Sequence, residues 1–180
     1  MLTREEYTRA QERAAQSIKR AGIRITPAEE EAIQVADFGL SDLAREGAQI
    51  LTFFATDRVS AKVIALFPEQ TLPEHWHPSV GDDPGKEETI RVVDGTVYLN
   101  IPGEETVDRG RIPQGKEAYY TVRHESVLRP GDQITLAPGV KHWLRAGSDG
   151  AVMYSFSTCV RDILDLFTDP GVVRTTKIVD

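Results

Sequence analysis

The sequence predicts a mainly β fold, an antiparallel barrel or sandwich behind a helical N-terminal segment. Three features of its order predict this. From about Ala48, short runs rich in Val, Ile, Phe, Thr and Tyr recur, separated by Gly, Pro and Asp. No helical pattern intervenes between them, which argues against parallel crossover units. Before Ala48 the periodicity is helical, so the 180 residues divide into a helical segment 1–47 packed on a barrel 48–180, one structural domain in all.

Thr3 with Glu6 three residues later is a candidate capping box, and Gly22 suits the end of that first helix. Thr26, Pro27 and Glu29 repeat the start signal, predicting a second helix to about Phe38 with Gly39 as terminator. Ser41 can cap one further turn through Leu43 and Ala44. Candidate strands then follow over Gln49–Ala55, Ser60–Phe67, Thr71–His77, Glu88–Val93, Thr96–Ile101, Tyr119–Glu125, Gln133–Leu136, His142–Arg145 and Ala151–Ser157. Asp94-Gly95 between two of these runs predicts a hairpin, because a type I′ turn needs positive φ at both central residues. Val97, Leu99 and Ile101 alternate with Thr96, Tyr98 and Asn100, so the former set should face the core. Ser79–Lys86 reads as a polar loop, and Val172–Val179 as a last strand or a wrap around the barrel.

Composition excludes several functions. A net charge of −7 with no basic stripe argues against nucleic acid as partner and fits a small neutral molecule. Cys159 is the sole cysteine, which rules out an internal disulfide and a thiolate-rich metal site. The N-terminus lacks the apolar segment of a secretory signal, and no run approaches the roughly 20 apolar residues of a membrane span, so a cytoplasmic location is expected.

Chemistry concentrates in the histidines. His75-Trp76-His77 places two imidazoles on one face of a strand, about 7 Å apart at a rise of about 3.3 Å per residue. Glu88 lies beyond the Ser79–Lys86 loop, where its carboxylate can return to the same barrel mouth. His142 follows the Gly131-Asp132 turn, the QITLA strand and a Pro138-Gly139 turn. This order resembles the two motifs of the cupin superfamily: H-x-H, a spacer, Glu and Gly at His75, His77, Glu88 and Gly95, then Gly, a strand, Pro-Gly and His at Gly131, Pro138, Gly139 and His142. The spacer between His77 and Glu88 is longer than in most cupins. The resemblance implies a double-stranded β-helix (jelly-roll) barrel with a metal held inside, and by analogy a homodimer. Three imidazoles and a carboxylate suit Mn²⁺, Fe²⁺, Co²⁺, Ni²⁺ or Zn²⁺. Six-coordination would leave two adjacent positions, the requirement for chelating a vicinal diol or hydroxy-carbonyl.

HWHP, GKEETIR (Gly85 to Arg91), and FTDP followed by Arg174 are similar to the D-lyxose isomerase family over most of the chain. The resemblance implies a metal-dependent aldose–ketose isomerase that interconverts D-lyxose and D-xylulose, often also D-mannose and D-fructose, usually with Mn²⁺ and by an enediol proton transfer. It places the metal ligands on His75, His77, Glu88 and His142, and a substrate-binding lysine on Lys86. Alternation puts Lys86 on the same side as Glu88, so both can face the sugar; the plainer reading of Lys86 is a solvated loop lysine. For the general base, Asp162 and Asp165 in RDILDLF are the nearest carboxylates. Asp165 is the choice, Ser155 standing where a glutamate is expected and Glu87 aiming away. Arg174 reaches the substrate or pairs with the acidic surface. His124, outside both motifs, reads as structural or solvent-facing, and Trp76 and Trp143 read as packing residues. An Fe²⁺ dioxygenase, or a sugar-binding cupin without turnover, remains compatible with the same donor set.

Overall fold

The structure is a computed structural model describing residues 1–108, 111–158 and 162–180, so Cys159 lies outside the described residues. Helix α1 (Arg4–Arg20) starts at the expected capping box, with Thr3 Oγ1 accepting from Glu6 N and Glu6 Oε2 accepting from Thr3 N. It buries Ala10, Ala14, Ala15 and Ile18, a stripe at i, i+4 spacing that packs on the outer side of the main sheet. Two-residue strands β1 (Leu2–Thr3) and β11 (Ile178–Val179) pair in parallel and bring the ends of the chain together.

Helix α2 is shorter than the sequence predicts. It has its capping box at Thr26 and Glu29 but covers only Pro27–Glu31, and the chain then enters β2 (Gln34–Ala36), antiparallel to β3 (Ala48–Ala55). Ile33 and Val35 are both buried in the core beneath the helices, so the apolar pattern there has the period of a strand. After Ser41 a single turn forms, with Asp42 O accepting from Arg45 N and Glu46 N.

The remaining strands are β4 (Val59–Leu66), β5 (Thr71–Trp76), β6 (Glu88–Ile101), β7 (His124–Leu128), β8 (Gln133–Leu136), β9 (His142–Thr158) and β10 (Leu166–Phe167). They form one curled antiparallel sheet, the mainly β cupin jelly-roll that the motifs imply. Two long strands run through it. The first half of β9 lies between β5 and β6, its second half between β4 and β6; β6 is flanked by β8 at its start and β7 at its end. Ile50, Ile64, Ile90, Leu99, Leu144 and Met153 fill the interior, at roughly 25 cal/mol per Å² of apolar surface removed from water.

Asp94-Gly95 is not a hairpin. It sits inside β6, where the register against β9 slips between Val92 and Asp94 and again between Gly95 and Val97. Gly95 has φ +76, and a Cβ there would lie 2.1 Å from Gly150 O, so the glycine permits a bulge against a close backbone rather than a chain reversal. The runs His142–Arg145 and Ala151–Ser157 are likewise halves of one strand, bent near Gly147 and Gly150.

Tyr119–Glu125 is mostly not a strand either. The buried Glu74 carboxylate accepts from the backbone N–H of Thr121 and Val122, and Tyr120 donates to Glu46 at 2.6 Å, so side chains satisfy this segment and pairing begins only at His124. Of Val172–Val179 only Ile178–Val179 is strand. Before it the tail crosses the turn at residues 37–40, with Val173 N donating to Phe38 O and Asp37 N to Thr176 Oγ1. No helix among the described residues is long and apolar enough to cross a membrane.

Substituting Gly95 by alanine should destabilise the fold by about 2 kcal/mol or more, since the left-handed backbone disfavours any side chain and the Gly150 carbonyl blocks it. Urea unfolding measures this, and an unchanged midpoint would contradict the bulge assignment.

Candidate metal centre and its cavity

Strand β5 carries His75 and leads directly into His77. Two features of local sequence aim them inward. Pro73 has no amide hydrogen, and the β5–β9 register slips between Leu72 and His75. The Pro73 carbonyl is left to bind His75 Nδ1 at 2.8 Å. His142 opens β9 directly opposite His75, its Nδ1 donating to Val140 O at 2.9 Å. His77 Nδ1 lies 2.6 Å from Asp165 Oδ1. In each ring one nitrogen is thus engaged by an outer acceptor, which turns the other toward a shared centre.

The three imidazoles are 6, 4 and 1% exposed in chain order, and their donor atoms all lie within 4.8 Å of one another. Glu88, at the start of β6, enters from the facing strand: its Oε2 is 2.9 Å from His77 Nε2 and 3.9 Å from His142 Nε2, and Oε1 accepts from Ser155 Oγ. Gly85 permits this approach. At φ +100 the loop folds so closely onto the strand end that a Cβ would meet His77 O at 2.6 Å.

Burial, reinforced by the neighbouring rings, holds His75 well below the usual imidazole range, and burial brings His142 down to about 4. Both are therefore neutral at pH 7 and keep a lone pair, as metal ligation requires. Burial opposes a charge on His77 too, but its hydrogen bonds to Asp165 and Glu88 outweigh this and raise it. The Glu88 carboxyl is pushed up by burial and pulled down further by Lys86 and the histidines, ending well below its ordinary value. The donor set fits a divalent cation: His142 Nε2 is buried without a hydrogen-bond partner, beside nitrogen and carboxylate donors. Three histidines of the described chain can thus hold a metal ion.

The flanking charges alternate. Lys86 is buried, its side chain only 8% exposed, with its ammonium 3.5 Å from Glu88 and 3.6 Å from Asp162. Burial works against that charge, and the carboxylates Glu88, Asp162 and Asp165 more than restore it. Asp162, in a 3₁₀ turn just before β10, also pairs with Lys62 and lies 3.4 Å from Arg174. Lys86 is therefore not the solvated loop lysine of its plainer reading, and Arg174 turns inward. An outer cavity of about 350 Å³, walled by the 78–86 loop, opens to solvent. An inner recess, lined by His75, His142, Phe38, Lys62, Phe167 and Arg174, meets it at Lys86 and Asp165.

The structure thus draws His75, His77, His142, Glu88, Lys86 and Asp165 together. His124 stays outside the group, with its Nδ1 held by Glu104 O. Trp143 is fully buried, donating to Val122 O and packing edge-on against Tyr120; Trp76 lies under the Lys141 ammonium. Sequence reasoning missed Lys62 and Phe38. Lys62 had a signal, since it occupies an inward position of the strand VSAKVIAL, between Ser60 and Ile64. Phe38 had none.

No family model matches the chain. Among curated proteins, the D-lyxose ketol-isomerase of Cohnella laeviribosi is 51% identical over 170 residues, covering 94% of this chain and 93% of that protein. The D-lyxose/D-mannose isomerase of Thermosediminibacter oceani is 48% identical over 181 residues and covers all of both. A D-lyxose ketol-isomerase of a Thermofilum species is 46% identical over 180 residues, covering 99% of this chain and 100% of that protein. Among solved structures, the L-ribose isomerases of Acinetobacter sp. DL28 (TM-score 0.84) and Cellulomonas parahominis (0.82) each cover 99% of this chain and 98% of their own. At 16% identity they share its fold.

Asp165→Asn should weaken divalent-metal binding about 10- to 100-fold while leaving the fold intact, because Asp165 fixes the orientation of His77. Competition against a chelating dye measures the affinity; an unchanged constant would remove Asp165 from that role.

Proposed function

We infer function from one premise: this chain belongs to the D-lyxose ketol-isomerase family, its curated relatives being 46–51% identical over nearly the whole length. The protein is a metal-dependent aldose–ketose isomerase that interconverts D-lyxose and D-xylulose and also accepts D-mannose and D-fructose. The observation that carries this reading is the convergence of the His75, His77 and His142 imidazoles with Glu88, next to the buried Lys86 side chain at the junction of two cavities.

His75, His77, Glu88 and His142 would hold the cation, Mn²⁺ by preference. When bound it supplies Lewis-acid polarisation of the sugar oxygens at C1 and C2. Lys86 faces the same point with a fixed charge, and donates a hydrogen bond to the oxygen on which negative charge develops; held by Glu88 and Asp162, it needs little reorganisation. Glu88 accepts from a sugar hydroxyl beside it. Asp165 takes the proton from C2 and returns it to C1, while a hydroxyl proton passes between O2 and O1, so the aldose leaves as its ketose with no atom gained or lost. Asp162 is a poorer base, because burial raises its carboxyl but Lys62, Lys86 and Arg174 together bring it below the ordinary range.

Incubating Mn²⁺-loaded protein anaerobically with D-lyxose and with D-mannose should yield D-xylulose and D-fructose. Chelation should abolish turnover, and readdition of Mn²⁺ should restore it. Absence of ketose from every pentose and hexose would end the isomerase reading, and a requirement for oxygen would favour a dioxygenase. Lys86→Met, which keeps the apolar stem, should still bind metal while kcat falls about 10²- to 10³-fold. An unchanged kcat would refute the role given to Lys86.

A further inference from the structure

The inner recess has two unlike walls. One is charged: Lys62, Lys86, Asp162 and Arg174. The other is apolar and includes the ring of Phe38, 2% exposed. Phe167 packs against both ends of this lining: its ring centroid lies 5.5 Å from that of Phe38 and 5.7 Å from that of His75. The recess is small, about 40 Å³, so the distal carbon of a sugar held at the histidines and turned into it would meet this ring.

Phe38 reaches this position in an unusual way. It lies in no strand, following β2 and preceding β3, and its φ is +51, a left-handed conformation that an aromatic residue adopts only under constraint. The surroundings supply the constraint. Asp37 Oδ1 accepts from Gly39 N at 3.0 Å, Leu40 N donates to Asp37 O, and Val173 N of the crossing tail donates to Phe38 O at 2.8 Å. The Arg174 guanidinium lies 5.9 Å from the ring centre, tying the same tail to the side chain. Such strain concentrates where a side chain must occupy a specific place, and here that place is the wall of the small inner recess.

We propose that Phe38 is the end wall of the sugar site and sets the length of aldose that it accepts. This rests on the aldose–ketose reading and deepens it. D-lyxose and D-mannose share their configuration through C4, and the hexose carries one further carbon with its hydroxyl. A wall that touches the distal end of the substrate acts on the ratio of the two specificity constants, whereas a ring that only fills the core acts on both equally.

The test is kcat/KM for D-lyxose and D-mannose in the wild type and in Phe38→Leu, Phe38→Ala and Phe38→Trp, with melting temperatures taken alongside. Shortening the side chain should raise the mannose-to-lyxose ratio about tenfold, the effect of about one methylene in an apolar pocket, and Trp should lower it. A ratio within twofold of wild type in both Phe38→Leu and Phe38→Trp overturns the proposal, whatever the absolute rates; should Phe38→Ala fail to fold, these two decide. A wild type that makes no ketose indicts the isomerase reading itself, a result separate from an unmoved ratio.

Discussion

The centre depends on what binds the outward nitrogen of each imidazole. A free histidine offers either nitrogen and several ring orientations, and three such rings crowded within 4.8 Å would gain nothing by meeting. Here Pro73 O, Val140 O and Asp165 Oδ1 each claim one Nδ1, so the convergence of Nε2 atoms is fixed by the protein itself. Two of those acceptors exist because the sheet is interrupted. Pro73 contributes no amide hydrogen where the β5 ladder slips, and Val140 ends a turn in which its own N–H is already bonded to Ala137 O. The histidine cluster is thus built at a break in regular pairing, and the break supplies its orienting groups.

Around that centre the burial of charge is tolerated because the signs alternate. Glu88, Lys86, Asp162, Lys62 and Arg174 form a chain in which each carboxylate touches a cation and each cation a carboxylate. An isolated ion at this depth would be strongly disfavoured, whereas a paired one is tolerated only while its partner remains. Single substitutions in this chain leave an uncompensated charge, so their effects on neighbours are not independent.

Much of the site was legible in the sequence, and the reason is geometric. The period of a strand puts His75 and His77 on one face without knowledge of the fold, and the Pro138-Gly139 turn marks where His142 begins its strand. The contact of Asp165 with His77 was not legible, because 88 residues separate them and no spacing rule spans the two. Asp94-Gly95 misled for a different reason: the residues that allow a tight reversal also allow a bulge, and only the nearness of Gly150 decides between them. The second helix is shorter than the start signal at Thr26 and the stop at Gly39 suggest, because Ile33 and Val35 have the spacing of a strand and β3 offers an edge to pair with. Lys62 carried a readable signal in its inward register, unlike Phe38, whose position depends on a backbone conformation that no side-chain pattern encodes.

The two long strands that bend at Gly95 and near Gly150 each belong to both ends of the barrel. No subset of the ladder can therefore melt as a unit. Opening the pairing at His142 pulls on β9, which also carries Ser155 and pairs along its second half with the part of β6 that carries Glu88. The ladder built on these two strands should come apart in a single cooperative step.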